Sequence, residues 1–210
     1  MKYFIYLIPV LLLMSCGNKN SVVSNEPLNL DSLLAIYPDS VPFLIERGKL
    51  SLEKYDYNKA LADGAKAFRL AEKNIEARML YAEILNNRPN RTVEDIMNAQ
   101  KHFKFIVKKE PKNCKALVSL ASTYSQQQDF ENSFKYINAA LRIDPKYRDG
   151  YVLKGTNYLH MNVKDNVELA ISSYETAVQQ YPKFFEAYLM LGSLYQAKKD
   201  TLCLEYYTTA

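Results

Sequence analysis

The chain has 210 residues, 48% of them hydrophobic and 24% charged, a balance that can fill a core and excludes general disorder. Six glycines and eight prolines are too few breaks for a turn-rich β architecture, so helices are expected. The formal net charge of +4 is too small to imply nucleic acid as a partner.

Residues 1–15 read as a processing signal: Lys2 supplies a positive end, and Tyr3 to Met14 form an apolar run broken only by Pro9. That run is shorter than the roughly 20 residues a permanent membrane helix needs. It ends in Leu13-Met14-Ser15-Cys16-Gly17, which resembles the bacterial lipobox. The resemblance implies that Cys16 is lipid-modified and becomes the new first residue, with acyl chains holding the protein at a membrane at about 0.8 kcal/mol per buried methylene. The bland alternative is a plain signal peptide with an incidental Cys16. By the sorting rules of lipoproteins, Gly17 after the cysteine implies the outer membrane of a Gram-negative cell. Surface-exported lipoproteins of the Bacteroidota carry an acidic cluster that Gly17-Asn18-Lys19-Asn20 lacks, so the body is expected to face the periplasm. Residues 16–27, rich in Asn and Ser, read as a flexible tether.

From residue 28 onward the pattern is helical. Leu30, Leu33, Leu34 and Tyr37 suggest a short helix over 28–38. Farther on, Leu117, Leu120, Ala121 and Tyr124 share one face of a first helix, and Phe130, Ser133, Ile137 and Ala140 share one face of a second. Gln128-Asp129 separates the two, and Asp144-Pro145 stops the second because proline lacks an N–H and disfavours helix at the residue before it. The same arrangement recurs from Gly155 to Tyr181-Pro182 and starts again at Leu191-Gly192.

This segment resembles the tetratricopeptide repeat (TPR), a helix-turn-helix unit of 34 residues. In that register repeats begin near Val41, Ile75, Cys114, Arg148 and Phe185, at steps of 34, 39, 34 and 37 residues. The family's small residue in the first helix is filled by Gly48, Ala82, Ala121, Gly155 and Gly192, and that of the second by Ala60, Ala99, Ser133 and Ala170. Its terminal proline is Pro111, Pro145 and Pro182. The two long steps are assigned to loops between the helices of a pair, at 86–92 and 162–166. The implied fold is all-α: a right-handed superhelical solenoid of antiparallel helix pairs over 28–210, with a half repeat at 28–38 and an incomplete last repeat. Thr201 to Ala210 opens a second helix without its proline, so either the natural chain continues or a partner covers the end.

No pattern supports catalysis. There is no His-Glu-x-x-His, no Gly-x-Ser-x-Gly and no phosphate-cradling glycine loop, so no enzyme activity, cofactor or metal is expected. His102 and His160 stand in separate repeats. The family holds its ligand along the concave face lined by first helices. The fifth position of each first helix gives Ile45, Met79, Val118, Val152 and Leu189, and the ninth gives Lys49, Glu83, Ser122, Thr156 and Ser193. The thirteenth gives Glu53, Asn87, Gln126, His160 and Ala197. This reads as a greasy stripe edged by small polar groups, for an apolar helix face or an extended segment of a partner, with core packing as the competing role of the fifth position. Lys101, Lys104, Lys108, Lys109, Lys112 and Lys115 recur at helical spacing, as a solvated outer face or a contact for an anionic partner.

The expected function is a membrane-anchored scaffold or adaptor for protein or peptide partners in the bacterial envelope, with no small-molecule substrate. Two alternatives are a glycan-binding nutrient-capture lipoprotein and a repeat module that positions a catalytic or signalling domain outside this chain.

Overall fold

Short polar side chains open the helices. Asn29, Asp56, Asn74, Asn113 and Asp129 each accept a hydrogen bond from the backbone N–H three residues on. Each thereby satisfies one of the donors that a helix start leaves free. Thr92 and Asp95 form a reciprocal capping box at the start of the longest helix.

The computed structural model describes residues 29–210. The expected signal segment, Cys16 and the tether lie outside them. Eleven α-helices occur and no strand is found among the described residues: α1 (Leu30–Ile36), α2 (Val41–Glu53), α3 (Tyr57–Leu70), α4 (Ile75–Asn87), α5 (Val93–Lys109), α6 (Cys114–Gln126), α7 (Phe130–Ile143), α8 (Arg148–His160), α9 (Asn166–Gln180), α10 (Phe185–Ala197) and α11 (Leu202–Thr209). Each even-numbered helix from α2 to α10 packs on the helix that follows it, and α3, α5, α7 and α9 pack on the first helix of the next pair. Successive first helices also touch, α2 with α4, α4 with α6 and α6 with α8, whereas no two second helices pack to a comparable extent. First helices therefore line the inner side of the solenoid and second helices its outer side. Among the described residues no helix is long and apolar enough to cross a membrane.

The small residues mark where helices come closest. Ala60, Ala82, Ala99, Ala121, Ser133 and Ala170 are fully buried. Larger side chains fill the space beside them: Leu80 and Ile84 in one cluster, Phe103, Ile106 and Leu120 in the next, and Tyr174 and Leu191 toward the carboxyl end. Aromatic pairs bridge the helices, with Tyr124 stacked on Tyr136 at 5.7 Å and Tyr195 on Tyr206 at 5.2 Å.

Each first helix reaches its partner through a turn containing one left-handed residue: Tyr55, Asn90, Gln128, Asp165 and Lys199 have φ between 57° and 59°. After α2, α6 and α10 the turn is a Schellman motif. At Gln128, for example, its N–H donates to the carbonyl of Ser125 and the next N–H, of Asp129, donates to that of Tyr124. The two long repeats depart from the expectation that their extra residues lie only in loops. Loops 88–92 and 161–165 are longer than 54–56 and 127–129, but α5 has 17 residues and α9 has 15 against 14 in α7. Part of each insertion continues the second helix, because Phe103 and Ile106 keep the apolar period of α5 in register with the core.

A candidate binding groove of amides and hydroxyls

The carboxyl ends of α4, α6 and α8 come together on the inner side, where a groove of about 700 Å³ opens between repeats two, three and four. Asn86, Asn87, Ser122, Gln126, Thr156 and His160 line it from the first helices, with Asn90 and Arg91 from loop 88–92 and Phe130 from the start of α7. Loop 88–92 is held by Arg88, whose guanidinium meets the Asp95 carboxylate at 2.5 Å. Burial pushes the Asp95 carboxyl up, but hydrogen bonds from Arg88 and Thr92 outweigh it and leave it below the usual range.

A hydrogen-bonded network fixes the groove floor. Gln126 Nε2 donates to Asn86 Oδ1 at 2.7 Å and to Ser122 Oγ at 3.4 Å, while Gln126 Oε1 accepts from Arg91 Nε at 2.6 Å. Asn86 Nδ2 donates to Asn87 Oδ1 at 3.2 Å. From the groove wall, Ser125 donates to Asn157 Oδ1 at 2.5 Å, and Asn157 Nδ2 donates to Ser133 at 2.7 Å, which satisfies the fully buried Asn157. Asn86 and Gln126 are thus engaged in holding the floor. The Asn87 amide nitrogen and the His160 ring have no side-chain partner among the described residues and line the same opening. A carboxamide both donates and accepts, the pair of functions a peptide group requires.

Of the ten positions expected to form the docking stripe, only Ser122 and Thr156 line this groove. Ile45, Met79 and Val118 take the competing role, core packing: they are 3%, 8% and 8% exposed and belong to the hydrophobic clusters between helices. Val152 is half-buried against the carboxyl-terminal cluster, while Leu189 is exposed on α10, away from the groove. Lys49 pairs with Glu76, and Glu83 pairs with Lys115 at 2.6 Å, so both ninth-position charges are engaged by neighbouring side chains. Ser193 lies 3.3 Å from the Tyr207 hydroxyl. Amides and hydroxyls predominate in the groove, beside Ile96, Phe130 and Leu153, because the fifth-position Ile45, Met79 and Val118 are consumed by packing between helices. Sequence reading did place Asn87, Gln126 and His160 in one row, the thirteenth. Asn90 and Arg91 fell in a stretch read only as a loop.

The outer side has a different chemistry. Arg78 lies between the Phe68 and Phe105 rings, 4.8 and 4.0 Å from their centroids, and its Nη1 is 2.9 Å from His102 Nδ1. His102 also meets the edges of Phe68 and Tyr81. Burial, with Arg78 and Lys101 nearby, pushes the His102 pKa down to about 4, so a neutral ring faces the guanidinium.

A stack of antiparallel helix pairs with a groove on its inner side is the architecture of a helical repeat solenoid. The tetratricopeptide-repeat sequence pattern matches residues 115–147, which span α6 and α7. Solved structures share the fold over most of the chain. A thermophilic TPR protein of Thermus thermophilus superimposes with a TM-score of 0.70 at 17% identity, covering 81% of this chain and 90% of that one. PilW, a widely conserved type IV pilus biogenesis factor, gives 0.67 at 13% identity over 84% of this chain and 79% of that one. PilF of Pseudomonas aeruginosa gives 0.62 at 14% identity over 82% and 75%. No curated protein sequence matches the chain.

Proposed function

We propose that the protein is a TPR-type interaction scaffold that holds an extended segment of a partner protein in the groove of α4, α6 and α8. The observation that carries this reading is the fixed row of amides and hydroxyls on the inner side, in which Asn86 and Gln126 orient a floor from which Asn87, Ser122 and His160 meet peptide groups. Arg91 is the one cation among the lining residues, and it favours a carboxylate on the bound segment. The likeness to PilF and PilW supports the fold and makes an envelope partner the first class to try. The lipobox-like run ending at Cys16 supports anchoring of the scaffold to the outer membrane, with its body in the periplasm.

The groove and the anchor are tested separately. A photoreactive residue in place of Asn87 should cross-link to a partner protein, and one at exposed Lys135 on the outer side should not. Gln126→Ala, which removes the bridge between Arg91 and Asn86, should reduce the cross-link about tenfold. Equal yields at both positions, or a yield indifferent to Gln126→Ala, would rule the groove out. Metabolic labelling with a fatty acid should mark the protein and should vanish in Cys16→Ser. An unlabelled wild type would end the anchor reading and leave the groove untouched.

A further inference from the structure

The positive charge of the molecule is concentrated on the carboxyl-terminal half of α5, beyond Glu94 and Asp95 of its first turn, and on the turn after it. From Lys101 to Lys115 six lysines stand against one acid, Glu110, an excess of five where the whole chain carries +4. Only Lys115 has a carboxylate partner, Glu83; Lys101, Lys104, Lys108, Lys109 and Lys112 have none among the described residues. Lys104 and Lys109 lie over the rings of Tyr124 and Phe105, with their ammonium groups 5.2 and 5.9 Å from the centroids. All five residues are exposed.

The same helix face carries a second feature. With 3.6 residues per turn, Val93, Met97, Lys101, Lys104 and Lys108 fall within an arc of about 80°. Val93 is 71% and Met97 61% exposed. No neighbouring second helix packs over α5 to cover this face. On an outward-curving surface a flat object meets one helix first, and α5 is the longest, at 17 residues. An acidic protein surface would complement the lysines alone. A lipid bilayer complements both halves of the stripe, offering phosphates to the ammonium groups and hydrocarbon just below them to valine and methionine.

We propose that the outer face of α5 docks the solenoid onto a bilayer rich in anionic lipid. Lys101, Lys104 and Lys108 meet the headgroup phosphates, Lys109 and Lys112 add to the attraction, and Val93 and Met97 enter the acyl boundary. The role is distinct from that of Cys16: an acyl anchor holds the protein at any bilayer, whereas this face selects a charged one and sets the orientation. Because inner and outer sides are opposed, the groove then faces away from the lipid.

The chain contains no tryptophan, so Met97→Trp creates a single fluorophore on the proposed contact. Asn138→Trp on the exposed face of α7 serves as the control. With the chain from residue 16 onward carrying Cys16→Ser, so that no acyl group holds it, and equimolar phosphatidylglycerol–phosphatidylcholine vesicles, Met97→Trp emission should shift to the blue, the shift should disappear in high salt, and Asn138→Trp should not respond. Lys104→Glu with Lys108→Glu, added to Met97→Trp, should weaken vesicle binding by about tenfold or more, since each lysine near an anionic surface contributes about fivefold. Three results would overturn the proposal. These are an equal Met97→Trp shift with pure phosphatidylcholine, unchanged binding after the double charge reversal, or a shift with soluble polyglutamate in place of vesicles, which would assign the face to an acidic protein.

Discussion

Every first helix hands over to its second through a left-handed residue, and none of the five is glycine. A non-glycine side chain there crowds the following carbonyl at about 1–2 kcal/mol, partly offset because glycine would loosen the unfolded chain by about 0.4–1 kcal/mol. Gln128 has φ 59°, so Gln128→Gly should raise stability by about 0.5–1 kcal/mol, read as a higher urea midpoint at unchanged slope. A lower midpoint would mean that the side chain does more than tolerate its turn. Gly155 presents the reverse case. A Cβ there would stand 2.9 Å from the Tyr174 ring, whose residue is 1% exposed and whose hydroxyl is 3.0 Å from Thr156 on the groove wall. The ring has nowhere to retreat, so Gly155→Ala should cost about 1–3 kcal/mol in the same titration. A neutral result would show that Tyr174 repacks freely.

At the scale of the element, α5 does most to distinguish this solenoid. Its inner residues Ala99, Phe103 and Ile106 are fully buried, and His102 joins it to α3 and α4 through Phe68, Tyr81 and Arg78. His102 is held neutral, with its pKa lowered from 6.5 to about 4. Unfolding lets the ring take a proton that the folded state refuses, so the stability due to this site is complete above pH 6.5. It is lost progressively as the pH falls from 6.5 to 4, by about 3 kcal/mol in all. His102→Gln keeps an acceptor for Arg78 and does not titrate, so the difference in unfolding free energy between wild type and variant should change over that window. A constant difference would contradict the assignment. Much at this scale could be read from the chain itself. Small residues such as Ala82, Ala121 and Ser133 had to be buried because only they allow two helices to approach, and Gln128-Asp129 and Asp144-Pro145 marked where helices break. The groove was harder to read. Whether Met79 or Asn87 faces solvent depends on how far each first helix is rotated against its neighbour, which periodicity leaves open. The three extra residues of α5 looked like loop because the polar run 86–92 masks the point where the apolar period resumes.

For the molecule as a whole, each pair of helices is completed by the next, so stability should be distributed unevenly along the stack. The α4–α5–α6 junction buries Phe103, Ile106 and Leu120 completely and closes its turns with side-chain caps from Asn74, Thr92 and Asn113. At the other end α11 has eight residues, none of them buried, and leaves Leu202, Leu204 and Tyr207 exposed with no side-chain cap. A solenoid behaves as a chain of nearest-neighbour couplings, in which a weakly coupled end opens without the centre. Hydrogen exchange should therefore show amides of α10 and α11 exchanging far ahead of those in α4 to α7, with protection rising toward the global limit at α5 and α6. Leu120→Ala, which empties a fully buried site between repeats two and three at a cost of about 2–5 kcal/mol, should lower protection on both sides of the junction at once. Leu204→Ala should leave the centre unchanged. If all eleven helices exchanged at one rate, and if Leu120→Ala lowered them all equally, the stack would be a single cooperative unit, and the exposed face of α11 would carry a coupling that its packing does not reveal.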